Sequence, residues 1–152
     1  MPSFRNERRV RHTANRMFDL VADVERYPEF VPLCTGLKVR NHRPDGQGRE
    51  TLIADMSVGY KMIRERFTSR VVLDQPRLRV VVDYIDGPFS HMENIWTFRD
   101  ESDGERSIVT FFIDYEFRSR TLGALMGSLF DAAFRKFAQA FEARADAVYG
   151  RT

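Results

Sequence analysis

Ser107-Ile108-Val109-Thr110-Phe111-Phe112-Ile113-Asp114-Tyr115-Glu116-Phe117-Arg118, followed by Ser119-Arg120-Thr121-Leu122-Gly123-Ala124-Leu125-Met126-Gly127-Ser128-Leu129-Phe130, is where the chain changes its hydrophobic period. Through 106–118 the period is two. Val109, Phe111, Ile113, Tyr115 and Phe117 fall on one side, and Thr110, Phe112, Asp114 and Glu116 on the other. From about 121 to 148 the period is helical, with Leu122, Met126, Leu129, Phe130, Ala133, Phe137, Phe141, Ala145 and Val148 in one stripe. A strand with one apolar face, next to a long amphipathic helix, needs a cover for that face, and the helix is the nearest candidate.

Working outward, five more strands precede this one, at about 36–43, 49–58, 61–73, 77–86 and 91–100. Turn chemistry separates them: Pro44-Asp45-Gly46, Gly59, Asp74-Gln75-Pro76, Asp86-Gly87-Pro88 and Asp103-Gly104. Parallel pairing needs a crossover of about a dozen residues, so such short links force an antiparallel meander. Alternation repeats in these strands. Met92, Asn94, Trp96 and Phe98 oppose Glu93, Ile95, Thr97 and Arg99, and Leu78, Val80, Val82 and Tyr84 oppose Arg79, Val81, Asp83 and Ile85. At the front, 4–11 reads as a strand, Thr13 as the N-cap of a helix over 14–22, and the proline-bounded stretch 23–32 as one short helical turn. The fold class is α+β: a curved antiparallel sheet of about seven strands wrapped on a long C-terminal helix, with two short N-terminal helices.

Composition narrows the function. A chain of 152 residues with 43% hydrophobic residues can build one core without disulfides, and residues 1–152 read as a single domain. One cysteine, Cys34, allows no internal bridge and has no basic neighbour to make it a thiolate, so it reads as a packing residue. A formal charge of +2 with interspersed signs argues against a DNA partner. The charged start Met1-Pro2-Ser3-Phe4-Arg5-Asn6-Glu7-Arg8 has no apolar signal core, and no uncharged run approaches a membrane span. A cytoplasmic protein with only peripheral membrane contact is expected.

Catalytic and metal signatures are absent. His12, His42 and His91 are far apart in turns or on wet strand faces and read as solvated, and no zinc spacing occurs. Asp23 and Glu25 read as surface charge at a helix end. Glu65 falls on the apolar face with Ile63, Phe67, Ser69 and Val71. It must either reach the rim and meet an arginine or serve as a polar anchor for ligand or water.

Local motifs carry a family resemblance. Val21-Ala22-Asp23-Val24-Glu25-Arg26-Tyr27-Pro28-Glu29-Phe30-Val31-Pro32-Leu33-Cys34 resembles a segment of the coenzyme Q-binding, polyketide cyclase-like group of START-like proteins. So do Arg64-Glu65-Arg66-Phe67-Thr68-Ser69, Asp86-Gly87-Pro88-Phe89, Ile95-Trp96-Thr97-Phe98, Tyr115-Glu116-Phe117-Arg118-Ser119 and Ala140-Phe141-Glu142-Ala143-Arg144-Ala145. The element order resembles the helix-grip arrangement of that group. Asn94-Ile95-Trp96 and Phe117-Arg118-Ser119 look closer to its ubiquinone-binding branch than to its ribosome-association toxin branch.

The resemblance implies a lipid-sized cavity and a non-catalytic role: binding ubiquinone, or a similar isoprenoid lipid, as a ligand and not as a cofactor, in support of respiratory-chain proteins. Lining residues chosen by facing are Phe18, Tyr27, Phe30, Val31, Met56, Phe67, Val82, Tyr84, Trp96, Phe111, Tyr115, Met126, Leu129, Phe130 and Ala133. Quinone carbonyls only accept, so Tyr27, Tyr84, Trp96 or Asn94 would donate. The uncharged helix start either packs under the hairpin around Gly59-Tyr60-Lys61-Met62 or forms a gate. As a gate, Tyr60, Met62, Leu122, Leu125, Met126 and Leu129 would meet the inner membrane, with Lys61, Arg118 and Arg120 at its headgroups. Two other readings remain: a ribosome binder using Arg64, Arg66, Arg70, Arg79 and Arg99, and a cyclase or dehydratase using Glu65, Asp23 and Tyr84.

Overall fold

A computed structural model describes residues 3–150; Met1 and Pro2 of the charged start lie outside the described residues, as do Arg151 and Thr152. The chain runs β1 (Ser3–Val10), α1 (Ala14–Ala22), a short 3-10 helix (Val24–Glu29), β2 (Cys34–Pro44), β3 (Arg49–Tyr60), β4 (Ile63–Asp74), β5 (Arg79–Asp86), β6 (Phe89–Asp100), β7 (Ser107–Phe117) and α2 (Arg120–Tyr149). The seven strands form one antiparallel sheet in the order β1-β7-β6-β5-β4-β3-β2. Strands β2 to β7 are the expected meander. β1 closes the far edge beside β7, from Ser3 opposite Asp114 to Val10 opposite Ser107.

Register slips between Cys34 and Gly36, Arg40 and Arg43, Thr68 and Ser69, and Phe89 and His91 bend the strands. The sheet therefore curves, and α2 lies in its hollow, as a helix-grip layout requires. Burial follows the alternation: in β7 Val109, Phe111, Ile113 and Tyr115 are buried, in β6 Met92, Trp96 and Phe98. Thr13 and Ser119 cap the two helices, their hydroxyls accepting from the amides of Arg16 (3.2 Å) and Leu122 (2.9 Å).

The helix faces the sheet with a rotated stripe. Phe134 and Ala138 are buried beside Met126, Phe130, Ala133, Phe141 and Ala145, whereas Val148 is exposed and Leu129 only half-buried. The cause is position: α2 rests on β1, β7 and α1, toward one edge of the sheet. Its second half is tied down by side chains. Arg8 donates to Glu142 (2.7 Å), Arg144 to Glu29 (2.6 Å) and the Tyr149 hydroxyl to the Arg16 carbonyl (3.2 Å).

His12 corrects the sequence reading. It is 2% exposed, not solvated, and its Nε2 lies 2.7 Å from Asp146 Oδ1. It sits in a turn, as expected, but the turn is folded under the end of α2, a contact between residues 134 positions apart. Met126 is a second correction. At 1% exposure it belongs to the core and cannot stand at an open mouth. Glu65 is half-buried on the inner face as the alternation requires; the arginine expected to meet it at the rim is not within ion-pair distance among the described residues.

Gly87 is the tightest point of the meander. In the turn between β5 and β6 it adopts φ +146°, and a Cβ there would lie 2.5 Å from Phe67 Cβ and 2.9 Å from Phe67 Cα. Gly87→Ala should therefore destabilise the fold by about 2 kcal/mol or more, as strained backbone and overpacking each do. The measurement is the urea midpoint; an unchanged midpoint would show that the turn relaxes freely.

Cys34, at the start of β2, is 7% exposed and its sulfur faces the Gly36 carbonyl at 3.6 Å. Burial pushes its thiol up to about 11. Below that pH it stays protonated, so alkylation of the native protein should lack the rise between about pH 8 and pH 10 that the urea-unfolded chain shows. A native rate that climbs like the unfolded one would place the thiol in water.

Candidate functional site

The curved sheet and α2 do not meet everywhere. Because the helix lies toward β7 and β1, the inner face over β3 to β6 is only partly covered, and a cavity of about 100 Å³ opens there. Its walls are inner-face residues spaced by two: Ala54, Met56 and Val58 of β3; Phe67, Ser69 and Val71 of β4; Val80 and Val82 of β5; Met92, Asn94 and Trp96 of β6. Phe89 of β6 and Ile113 of β7 add to them. Phe130, Ala133, Phe134, Phe137 and Phe141 of α2 form the roof, and Val24, Tyr27, Pro32, Leu33 and Leu37 one end.

The void has a local cause. Ala54 and Ser69 stand opposite one another in the β3–β4 register, and Ala133 is on the helix above. Three small side chains sit where the surrounding aromatics would otherwise close the space. Protein interiors hold few voids larger than a water. This one exceeds the roughly 10–15 Å³ that a water needs, and falls short of the 300 Å³ or more usual for a drug-sized ligand.

Polar groups on the wall are few. Tyr27 donates to the Val21 carbonyl, and burial raises its pKa, so it stays a neutral phenol. Asn94 donates from Nδ2 to the Phe112 carbonyl at 2.8 Å. Ser69 is 3% exposed and its Oγ has no hydrogen-bond partner among the described residues. Among the described residues no carboxylate, imidazole, lysine or arginine lines the cavity. Among the described residues no cluster of three His, Cys, Asp or Glu side chains is placed to hold a metal ion.

Of the residues chosen by facing, Tyr27, Met56, Phe67, Val82, Trp96, Phe130 and Ala133 line the cavity. The others do not. Phe18 packs edge-on against Phe98 (5.9 Å), Phe30 against Phe141 (4.9 Å), Phe111 against Trp96 (4.8 Å) and Tyr115 against Phe134 (5.2 Å). Val31 and Met126 are core, and Leu129 is half-buried on α2. Tyr84 accepts the Phe89 amide at 3.0 Å and braces the β5–β6 turn. Tyr84, Phe111 and Tyr115 follow the strand alternation, but the helix fills the β7 side with its own aromatics. Facing also passed over Ala54 and Ser69, whose signal is smallness and not apolarity, and Phe134 and Phe141.

Of the residues expected to meet a membrane, Met126 is buried and Leu129 half-buried, and the others reach the surface. Met62 is 94% exposed, Leu125 63% and Tyr60 45%; Arg118 and Arg120 are exposed and Leu122 is half-buried. No helix among the described residues is long and apolar enough to cross a membrane. On the outer face of the sheet Arg64, Arg66, Arg79 and Arg99 are exposed, while Arg70 is held by Asp83 at 3.1 Å. Asp23 is exposed beside Arg26 (3.9 Å), away from the cavity.

Comparison with known proteins places this geometry. The family model described as polyketide cyclase / dehydrase and lipid transport matches residues 10–142. The chain is 30% identical over 151 residues to the ribosome association toxin RatA of Rickettsia prowazekii, covering 97% of this chain and 99% of that protein. It is 32% identical over 140 residues to the mitochondrial coenzyme Q-binding protein COQ10 homolog B of Xenopus laevis, covering 90% of this chain and 54% of the relative. An 18 kDa protein of Caulobacter crescentus, solved in solution, superposes with a TM-score of 0.80 at 35% identity, covering 99% of this chain and 100% of that one. With the match running through nearly all of the sheet and most of α2, this chain belongs to the polyketide cyclase / dehydrase and lipid transport family.

Proposed function

We propose that the chain is a non-catalytic carrier that binds ubiquinone or a similar isoprenoid lipid between the sheet and α2 and delivers it to respiratory-chain proteins. The observation that carries this reading is the aromatic, almost wholly apolar cavity in a chain whose family description includes lipid transport. The name of the Xenopus relative points the same way. Apolar walls favour an isoprenoid by about 0.8 kcal/mol per buried CH₂. Acid–base catalysis needs titratable groups at the reacting centre, and among the described residues the wall offers only Tyr27, which is already donating to a backbone carbonyl. No resident cofactor enters this reading; the quinone is cargo.

At about 100 Å³ the cavity holds only part of such a ligand, so entry of the tail requires α2 to shift. The side-chain ties of α2 named above are in its second half, which leaves the uncharged stretch 121–130 near its start as the part that moves. Leu125 and Met62 would touch the lipid surface there, with Lys61, Arg118 and Arg120 adding salt-screened contacts to headgroups. Membrane association in this reading is peripheral, at the cytoplasmic face of the inner membrane, and reversible.

Trp96, the single tryptophan, lines the cavity and reports on it. Ubiquinone-loaded liposomes should quench its emission. Ala133→Phe, which puts a ring into the void, should weaken quenching at least about tenfold. Leu125→Asp combined with Met62→Asp should slow uptake from liposomes while leaving the affinity for dispersed short-tail ubiquinone unchanged. Absence of quenching in the unaltered protein, or full quenching in Ala133→Phe, would sink the reading.

A second reading has its own observation: relatives named as ribosome association toxins match nearly the whole chain, and Arg64, Arg66, Arg79 and Arg99 stand exposed on the outer face. Under it, added protein lowers the fraction of joined ribosomal subunits on a sucrose gradient, and Arg64→Glu with Arg66→Glu abolishes the effect without touching Trp96 quenching. An unchanged gradient removes this reading.

A further inference from the structure

We propose that the Ser69 hydroxyl is the donor that receives the ligand's buried oxygen, so that the cavity selects an apolar molecule bearing a carbonyl, ether or hydroxyl oxygen over an oxygen-free hydrocarbon. The inference rests on the reading of the cavity as a lipid site and goes one step further, to what the ligand must carry.

Ser69 lies in the middle of β4, between Phe67 and Val71 on the inner face, opposite Ala54 of β3 and Tyr84 of β5. The register slips between Thr68 and Ser69, so that Ile85 of β5 is left out of the ladder. Such bulges re-aim neighbouring side chains. Ser69 lines the cavity at 3% exposure, and its Oγ meets no acceptor or donor among the described residues. An unpaired buried hydroxyl costs about 1–3 kcal/mol. Alanine would fit the same backbone without that cost, so the hydroxyl is useful to the fold only when something in the cavity pairs with it.

Two comparisons within the molecule sharpen the point. Ser107 also has an unpartnered buried Oγ, but it does not line the cavity, so no ligand can reach it. The other wall hydroxyl, Tyr27, is already donating to Val21, and the Asn94 amide group to Phe112. Ser69 is thus the wall hydroxyl still free to donate. A single water on Ser69 would leave most of the 100 Å³ unfilled and apolar, which is a poor site for water.

The test compares a short-tail ubiquinone with farnesane, an oxygen-free isoprenoid hydrocarbon, in the full chain. Quinone binding is read by quenching of Trp96, and farnesane by its competition. Ser69→Ala should weaken ubiquinone about tenfold, the loss of one buried hydrogen bond. Farnesane should bind as before, Ser69→Thr should restore the quinone, and the thermal midpoint of free Ser69→Ala should not fall. If Ser69→Ala binds ubiquinone as the unaltered chain does, the proposal is overturned while the lipid site stands. If Ser69→Ala weakens both probes equally and melts earlier, Ser69 is structural and the proposal is overturned. If the unaltered chain binds neither probe, the lipid-site reading fails and this inference with it.

Discussion

The structure turns on one aromatic junction. Phe141 of α2 is 1% exposed, with its ring centroid 4.9 Å from Trp96 of β6, 4.9 Å from Phe30 and 5.3 Å from Tyr27 of the 3-10 helix. One side chain thereby joins the long helix, the centre of the sheet and the N-terminal helical segment. Each aromatic pair contributes about 0.5–1.5 kcal/mol beyond its area. The partly exposed ion pairs of Arg8 with Glu142 and Arg144 with Glu29 contribute less. Their effect is directional. Together with His12 and Asp146 they fix the second half of α2, whereas the first half is held by packing and the Ser119 cap among the described residues.

Where the helix is fixed decides where the interior is empty. Held over β7 and β1, α2 packs its phenylalanines densely on Phe111, Tyr115 and Phe117. The sheet curves away, and over β3 and β4 the residues that would have to close the gap are Ala54 and Ser69. A void forfeits dispersion contacts on every atom around it. Leucine at either position would recover them, so the small residues leave the fold less compact than its other inner-face chemistry allows.

The same architecture separates two surfaces of different chemistry. The inner one is aromatic, with the unpaired Ser69 hydroxyl on the cavity wall; the outer one carries Arg40, Asp55 and Thr68 in one bonded cluster, Arg70 with Asp83, and further exposed arginines. A fold does not by itself fix a function. The family match and the two sets of relatives leave both surfaces available, and the inner one is the enclosed one.

Much of this was legible from residue order, because hydrophobic period is a local property. The switch from period two to the helical period near residue 119, the turns at Gly59, Asp86-Gly87-Pro88 and Asp103-Gly104, and the Thr13 cap located every element to within a few residues. The same alternation sorted Trp96, Phe67, Met56 and Val82 onto the inner face and the arginines onto the outer one. Period tells which side of a sheet a residue takes, but not what stands opposite it. Only tertiary structure decided that β1 pairs with β7, that α2 lies to one side, and that Phe18, Phe111, Tyr115 and Met126 are packed shut while Ala54 and Ser69 border open space. It also decided that His12 is buried under Asp146, a contact between chain ends that no local pattern encodes. Burial of a polar group depends on neighbours distant in sequence, and those neighbours are set by how a helix is laid across a sheet.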